Sequence, residues 1–135
     1  MDPIDKGGFG LARILVIEDD VEVRKVIRRI LEKNGHQVIE AANGKDGISK
    51  YRQDPTDLII TDIIMPEKEG IETIGELRKD FPNVKIIAVS GGGRIKSGDY
   101  LVLAQKIGAM RTLAKPFEWD TFVGTINELL AEPEG

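Results

Sequence analysis

The chain has no cysteine and only one histidine in 135 residues. The lack of cysteine excludes disulfides, thiolate catalysis and cysteine-ligated zinc, and it fits a reducing compartment. The single histidine, His36, excludes a multi-histidine metal site and a histidine-based catalytic triad. Because His36 opens a predicted strand away from the other polar candidates, we expect it to be structural.

Long apolar runs are also missing. No segment approaches the roughly 18 apolar residues of a membrane span, and residues 1–10 lack the apolar core of a signal peptide. The formal net charge is −4, so no general attraction to nucleic-acid phosphates is expected. The sequence therefore predicts a soluble, cytoplasmic protein that binds neither nucleic acid nor a membrane.

The length predicts one domain. We expect this domain at 12–132, between a flexible N-terminal segment, 1–11, and a C-terminal tail, 133–135.

Short apolar runs alternate with helical patterns along the chain, which predicts an α/β fold with a parallel sheet and crossover helices. Strands are expected at 13–17, 37–41, 58–61, 85–89 and 111–114. Helices are expected at about 21–34, 44–52, 71–81 and 99–107, with a last helix from about 118–120 to 130. These five βα units predict a doubly wound five-stranded parallel sheet with five helices.

Polar residues follow the apolar runs. Asp62 follows the third predicted strand, and an unpaired buried charge there would be costly, so packing does not explain it. Ligands of doubly wound sheets bind at the carboxyl ends of the strands. We therefore expect one pocket at that edge, formed by residues that end four different strands: Glu18, Asp19, Asp62, Ser90 and Lys115.

Other polar features have simpler explanations. Asp20 fits an acidic helix N-terminus, which the helix dipole favours. The glycine run 91–98 is not a Walker loop, because Ile95 precedes Lys96-Ser97. The basic cluster of the first helix is expected to be a solvated face; it consists of Arg24, Lys25, Arg28 and Arg29.

The ordered motifs resemble the receiver domain of two-component response regulators, over about 12–132. They are Glu18-Asp19, then Asp62 with Met65-Pro66 and Gly70, then Ser90, and finally Lys115-Pro116-Phe117. The resemblance implies a flavodoxin-like sheet with strand order 2-1-3-4-5. It also implies that Asp62 is a phosphoacceptor, that Ser90 and Lys115 contact the phosphoryl oxygens, and that Mg²⁺ is bound. The implied metal ligands are Glu18, Asp19, Asp62 and the backbone carbonyl of Ile64.

The family also implies partners. Phosphate would come from a histidine kinase or a histidine phosphotransfer protein, and a phosphorylation-dependent switch would signal to a downstream protein. The contact face would be helix four, strand five and helix five. Such a receiver catalyses only its own phosphorylation and dephosphorylation, so it is not an enzyme acting on a separate substrate.

The chain departs from the family pattern at three places. Glu18 stands where aspartate is commoner, so metal ligation there could be indirect. Thr112 occupies the position of the family's switching aromatic residue. The span from Ser90 to Lys115 is a few residues longer than usual, and the surplus lies in the glycine run.

Two other functions stay open. A Mg²⁺-dependent phosphohydrolase could use an aspartate nucleophile, but such enzymes have a second acid two residues later, where this chain has Ile64. A receiver-like module could also bind partners without being phosphorylated. The short tails do not decide whether the chain belongs to a larger regulator.

Overall fold

The computed structural model describes residues 12–63, 70–90, 104–114 and 118–132, including every side chain in these ranges except those of Ser90 and Ala114. The predicted tails, the glycine run and the predicted start of helix four lie outside the described residues. The predicted domain limits stay a prediction. No helix in the described ranges has the length and apolar character to cross a membrane.

Five parallel strands form one sheet in the order β2-β1-β3-β4-β5. They are β1 (Arg13–Ile17), β2 (Gln37–Ala41), β3 (Leu58–Asp62), β4 (Ile86–Ser90) and β5 (Arg111–Ala114). The doubly wound fold and the strand order are thus confirmed. β3 and β4 end one residue later than predicted, so that Asp62 and Ser90 are the last residues of their strands.

The helices follow the strands in the predicted alternation. They are α1 (Val21–Lys33), α2 (Gly44–Gln53), α3 (Gly70–Asp80), the described part of α4 (104–107) and α5 (Trp119–Ala131). Gly35 ends the α1 region with a φ of 91°, a conformation that glycine adopts without steric cost. Asn43 caps α2, because its side chain accepts a hydrogen bond from the Asp46 amide at 2.8 Å.

The sheet is buried on both faces, which explains why its strands are continuously apolar. Alternate residues of each strand pack against different helices. One face of the sheet packs against α1 and α5 through Ile14, Val16, Ile60, Ile27, Leu31, Phe122 and Ile126. The opposite face packs against α2, α3 and the described part of α4 through Leu15, Ile17, Ile59, Ile48, Ile74, Leu77 and Ala104.

The apolar pattern of α1 predicts one buried face, made of Val23, Val26, Ile27, Ile30 and Leu31, and this prediction is wrong at one position. Ile27 and Leu31 are buried as expected, but Val26 is 38% exposed. Val26 is adjacent to Ile27 in the sequence, and neighbouring helix positions point about 100° apart. The face that meets the sheet is therefore narrower than the run of apolar residues suggested.

His36 is buried at the amino edge of the sheet, as expected for a residue with a structural role. Its Nδ1 atom accepts a hydrogen bond from the Ala12 amide at 3.3 Å. An accepting Nδ1 belongs to a neutral imidazole. Desolvation by burial lowers the pKa of His36 below its ordinary value.

The lowered pKa of His36 predicts a loss of stability in mild acid. Below about pH 6.5 His36 binds a proton in the unfolded chain more readily than in the folded protein. The free energy of unfolding therefore falls as pH falls. Urea unfolding at about pH 7.5 and about pH 5.5 measures this change, which for one group is at most about 1.4 kcal/mol. The non-titrating variant His36→Gln should lose less stability over the same interval. An equal loss in both proteins would contradict the assignment.

Candidate functional site

Three carboxylates meet at the carboxyl edge of the sheet. Glu18 and Asp19 follow β1 directly, and Asp62 is the last residue of β3. One carboxylate oxygen from each of the three lies within 4.8 Å of the others. Glu18 is only 4% exposed, whereas Asp19 is exposed and Asp62 is intermediate. The cluster therefore opens to solvent on the Asp19 side.

The strand register brings these acids together. In the parallel pair of β1 and β3, Ile17 lies opposite Thr61, so the next residues along each strand are Glu18 and Asp62. On the other side of β1, the Glu18 amide donates to the Ala41 carbonyl at 3.0 Å, which extends the pairing with β2. Glu18 is thus held by backbone contacts on the β2 side and lies level with Asp62 on the β3 side.

Asp20 has a separate role. Its carboxylate accepts hydrogen bonds from the amides of Glu22 and Val23 at 2.9 and 3.3 Å, and so caps α1. Its own amide donates to Oε2 of Glu18 at 3.2 Å. The predicted explanation of Asp20 as a helix N-terminus is confirmed, and its amide helps to orient the buried acid.

Gly70, the first residue of α3, lies against the backbone at the end of β3. The Gly70 amide donates to the Ile63 carbonyl at 2.7 Å, and the Ile63 amide donates to the Val89 carbonyl at 3.0 Å. A Cβ atom added at Gly70 would lie 2.1 Å from the Asp62 carbonyl oxygen and 2.4 Å from the Ile63 Cα. Only glycine fits so near the backbone, so the first residue of α3 packs directly against the main chain of Asp62 and Ile63.

The structure describes the other predicted site residues only in part. Ser90 is the last residue of β4 and lies opposite Ala114, the residue before Lys115, but its side chain is not described. Lys115 and Ile64 lie outside the described residues. The roles assigned to Ser90, Lys115 and the Ile64 carbonyl stay predictions.

The sequence interpretation missed Arg24. Its Nη1 atom donates to the Glu18 carbonyl at 2.7 Å, and its Nε atom donates to the Glu40 carboxylate at 2.7 Å. The predicted solvated face is therefore wrong for Arg24, although Lys25 and Arg29 are exposed. Arg24 lies one helical turn after the cap of α1, and this position in the sequence could have indicated its contact with the loop that follows β1.

The donor set of the cluster fits a hard divalent cation. Mg²⁺ prefers oxygen ligands, keeps several waters and needs only one or two carboxylates from the protein. The cluster presents three carboxylates close together, and their mutual repulsion favours a bound cation. Among the described residues, Glu18, Asp19 and Asp62 could hold such an ion.

Comparison with known proteins identifies close relatives. The family of response regulator receiver domains matches residues 14–127. The chemotaxis protein CheY of Thermotoga maritima is 35% identical over 118 residues, which are 87% of this chain and 96% of that protein. Protein PilH of Pseudomonas aeruginosa is 35% identical over 121 residues, or 90% of this chain and 99% of PilH. A receiver domain structure from Clostridium thermocellum has a TM-score of 0.81 at 30% identity, over 88% of this chain and 94% of its own.

The crowding of the carboxylates predicts that removing one charge stabilises the protein when no divalent cation is present. Asp19→Asn should raise the free energy of urea unfolding in a chelating buffer by about 1 kcal/mol, the scale of one close pair of like charges in water. Asp20→Asn is the matched control, since asparagine and aspartate cap helices equally well. An Asp19→Asn variant no more stable than Asp20→Asn would show that the carboxylates do not repel one another appreciably.

The close approach at Gly70 predicts strong sensitivity to a single methyl group. Gly70→Ala should lower the free energy of unfolding by about 3 kcal/mol or more, because the contacted atoms are backbone and cannot rotate away. Gly124 is exposed within α5 and has nothing within 4 Å of an added Cβ. Gly124→Ala should therefore stabilise by about 0.5–1 kcal/mol. Equal effects of the two substitutions in urea unfolding would contradict the packing at Gly70.

Proposed function

The chain belongs to the family of response regulator receiver domains, and from that premise we propose that it is a Mg²⁺-dependent phosphoacceptor modified at Asp62. The observation that carries the proposal is the approach of Glu18, Asp19 and Asp62 to within 4.8 Å at the carboxyl edge of the sheet. Asp62 ends the central strand of the sheet and has no acidic neighbour in the sequence, whereas Glu18 and Asp19 are adjacent to each other.

The proposed reaction transfers a phosphoryl group to Asp62. A carboxylate oxygen of Asp62 forms a bond to phosphorus while the bond from phosphorus to the donor nitrogen of a phosphohistidine breaks. The electron pair of the broken bond stays on the imidazole, and the product is an acyl phosphate. Because the attacking carboxylate is already ionised, the chain needs no general base for this step. Positioning and charge stabilisation supply the catalysis.

The acids would divide the work between binding and reaction. Glu18, Asp19 and Asp62, with the Ile64 carbonyl, would hold Mg²⁺, which when bound neutralises negative charge on the phosphoryl oxygens. The buried position of Glu18 supports a role in orienting this part of the site. A glutamate at this position is one methylene longer than an aspartate, which is compatible with ligation through water.

Ser90 and Lys115 are proposed to contact the phosphoryl group. The support for this pairing is the register of β4 and β5, which sets Ser90 opposite Ala114, immediately before Lys115. A hydroxyl donor and a cation at neighbouring strand ends suit the three equatorial oxygens of a transferring phosphoryl group. The added dianion would draw these two residues together and so change the adjacent surface.

The proposed partners are those of the family. A histidine kinase or a histidine phosphotransfer protein would donate the phosphoryl group. A downstream protein would read the α4, β5 and α5 face.

The proposal predicts one phosphoryl adduct per chain after incubation with Mg²⁺ and acetyl phosphate, measured as intact mass. Asp62→Asn should give no adduct. Asp57→Asn is the matched control and should keep it, because Asp57 lies at the opposite end of β3, where its carboxylate accepts from the Arg13 amide at 2.8 Å.

The other outcomes separate the alternatives. If the wild-type protein forms no adduct, the proposed phosphoacceptor function is contradicted and a receiver-like binding module is favoured. Multiple-turnover hydrolysis of a phosphate monoester contradicts it in favour of a phosphohydrolase. An adduct that persists in Asp62→Asn places the chemistry on another residue.

A further inference from the structure

The Arg24 side chain joins the turn after β1 to the end of β2. Its Nη1 atom donates to the backbone carbonyl of Glu18, and its Nε atom donates to the carboxylate of Glu40, both at 2.7 Å. Glu40 is the penultimate residue of β2 and lies opposite Val16. One planar guanidinium thus connects the acid-bearing turn to the neighbouring strand.

The position of Arg24 in α1 explains its reach. Asp20 caps the helix, and the Arg24 amide donates to the Asp20 carbonyl at 2.9 Å, which is the first bond of the helical ladder. Helical side chains point back toward the N-terminus. The guanidinium therefore folds back over the turn that holds Glu18 and Asp19.

Glu40 is a firm anchor for this contact. Its carboxylate also accepts from Arg28, and its backbone carbonyl accepts from Lys50 at 2.5 Å. The hydrogen bond from Arg24, followed by that from Arg28, holds the pKa of Glu40 below its ordinary value. The Arg24 side chain is only 15% exposed, so this pair is shielded more than an ordinary surface ion pair.

We propose that Arg24 is a positioning residue for the divalent cation, acting through the Glu18 carbonyl. By fixing the peptide between Glu18 and Asp19, the guanidinium sets the direction in which both carboxylates leave the backbone. This inference rests on the proposed cation site. Groups that orient metal ligands without touching the metal typically change metal affinity by about 10-fold or more.

Charge and positioning make opposite predictions for Arg24. As a nearby positive charge, the guanidinium should weaken cation binding, so its removal should strengthen it. As a positioning group, it should strengthen binding, so its loss should weaken it. Lysine keeps the charge and a good helix propensity but lacks the planar arrangement of donors that engages two separate acceptors.

The test is Mg²⁺ binding measured by calorimetry on the unphosphorylated protein. Arg24→Lys and Arg24→Gln should each weaken binding by about tenfold. The matched control is Arg28→Lys, since the hydrogen bonds of Arg28 go to the carboxylates of Glu40 and Glu32 and not to the turn after β1. Arg28→Lys should bind Mg²⁺ as wild type does.

Amide hydrogen exchange without metal gives a second measurement. In both Arg24 variants the amides of Glu18 and Asp20, which bond to Ala41 and to the Glu18 side chain, should exchange faster than in Arg28→Lys. Wild-type affinity in Arg24→Lys with tighter binding in Arg24→Gln would overturn positioning in favour of simple charge. Unchanged binding in both variants would overturn it as well. Wild type that binds no Mg²⁺ would refute the proposed cation site itself.

Discussion

The parallel register of β1 against β3 is the constraint on which the acidic site depends. Ile17 opposite Thr61 makes Glu18 and Asp62 neighbours across the strands. A slip by one residue would turn every side chain of a strand to the other face of the sheet. Because both faces are packed with apolar side chains, the core enforces this register, and the register in turn forces the carboxylates together. The core thus supplies the free energy that offsets their repulsion.

The sequence predicted the sheet and the acidic residues because both depend on local patterns. Each strand is a continuous apolar run, and Glu18, Asp19 and Asp62 follow such runs directly. Parallel topology then sends all strand ends to one edge. The hydrophobic periodicity, the length of each apolar run and the residue that follows it are enough to place three carboxylates in one site.

The errors concern contacts between residues distant in sequence. The charged neighbours of Arg24 in α1 predict a solvated side chain, yet its partner Glu40 lies 16 residues away on β2. The apolar pattern places Val26 on the buried face of α1, yet 38% of the residue is exposed. A one-dimensional pattern defines which residues share a helix face, but the packing partner decides how wide the buried part of that face is.

The amino edge of the sheet carries stabilising contacts that are kept apart from the acidic cluster. Lys85, buried just before β4, donates to the carbonyls of Leu129 and Glu132 at 2.9 and 2.5 Å, and so holds the C-terminal end of α5. A cation at this end also complements the helix dipole. At the other end, the N-cap residue Glu118 makes no side-chain capping bond within the described residues, and Trp119 is 40% exposed. The two ends of α5 are therefore held by different contacts: the C-terminal end by the hydrogen bonds from Lys85, and the N-terminal end by the edge-to-face packing of Trp119 on buried Phe122, with ring centroids 5.4 Å apart.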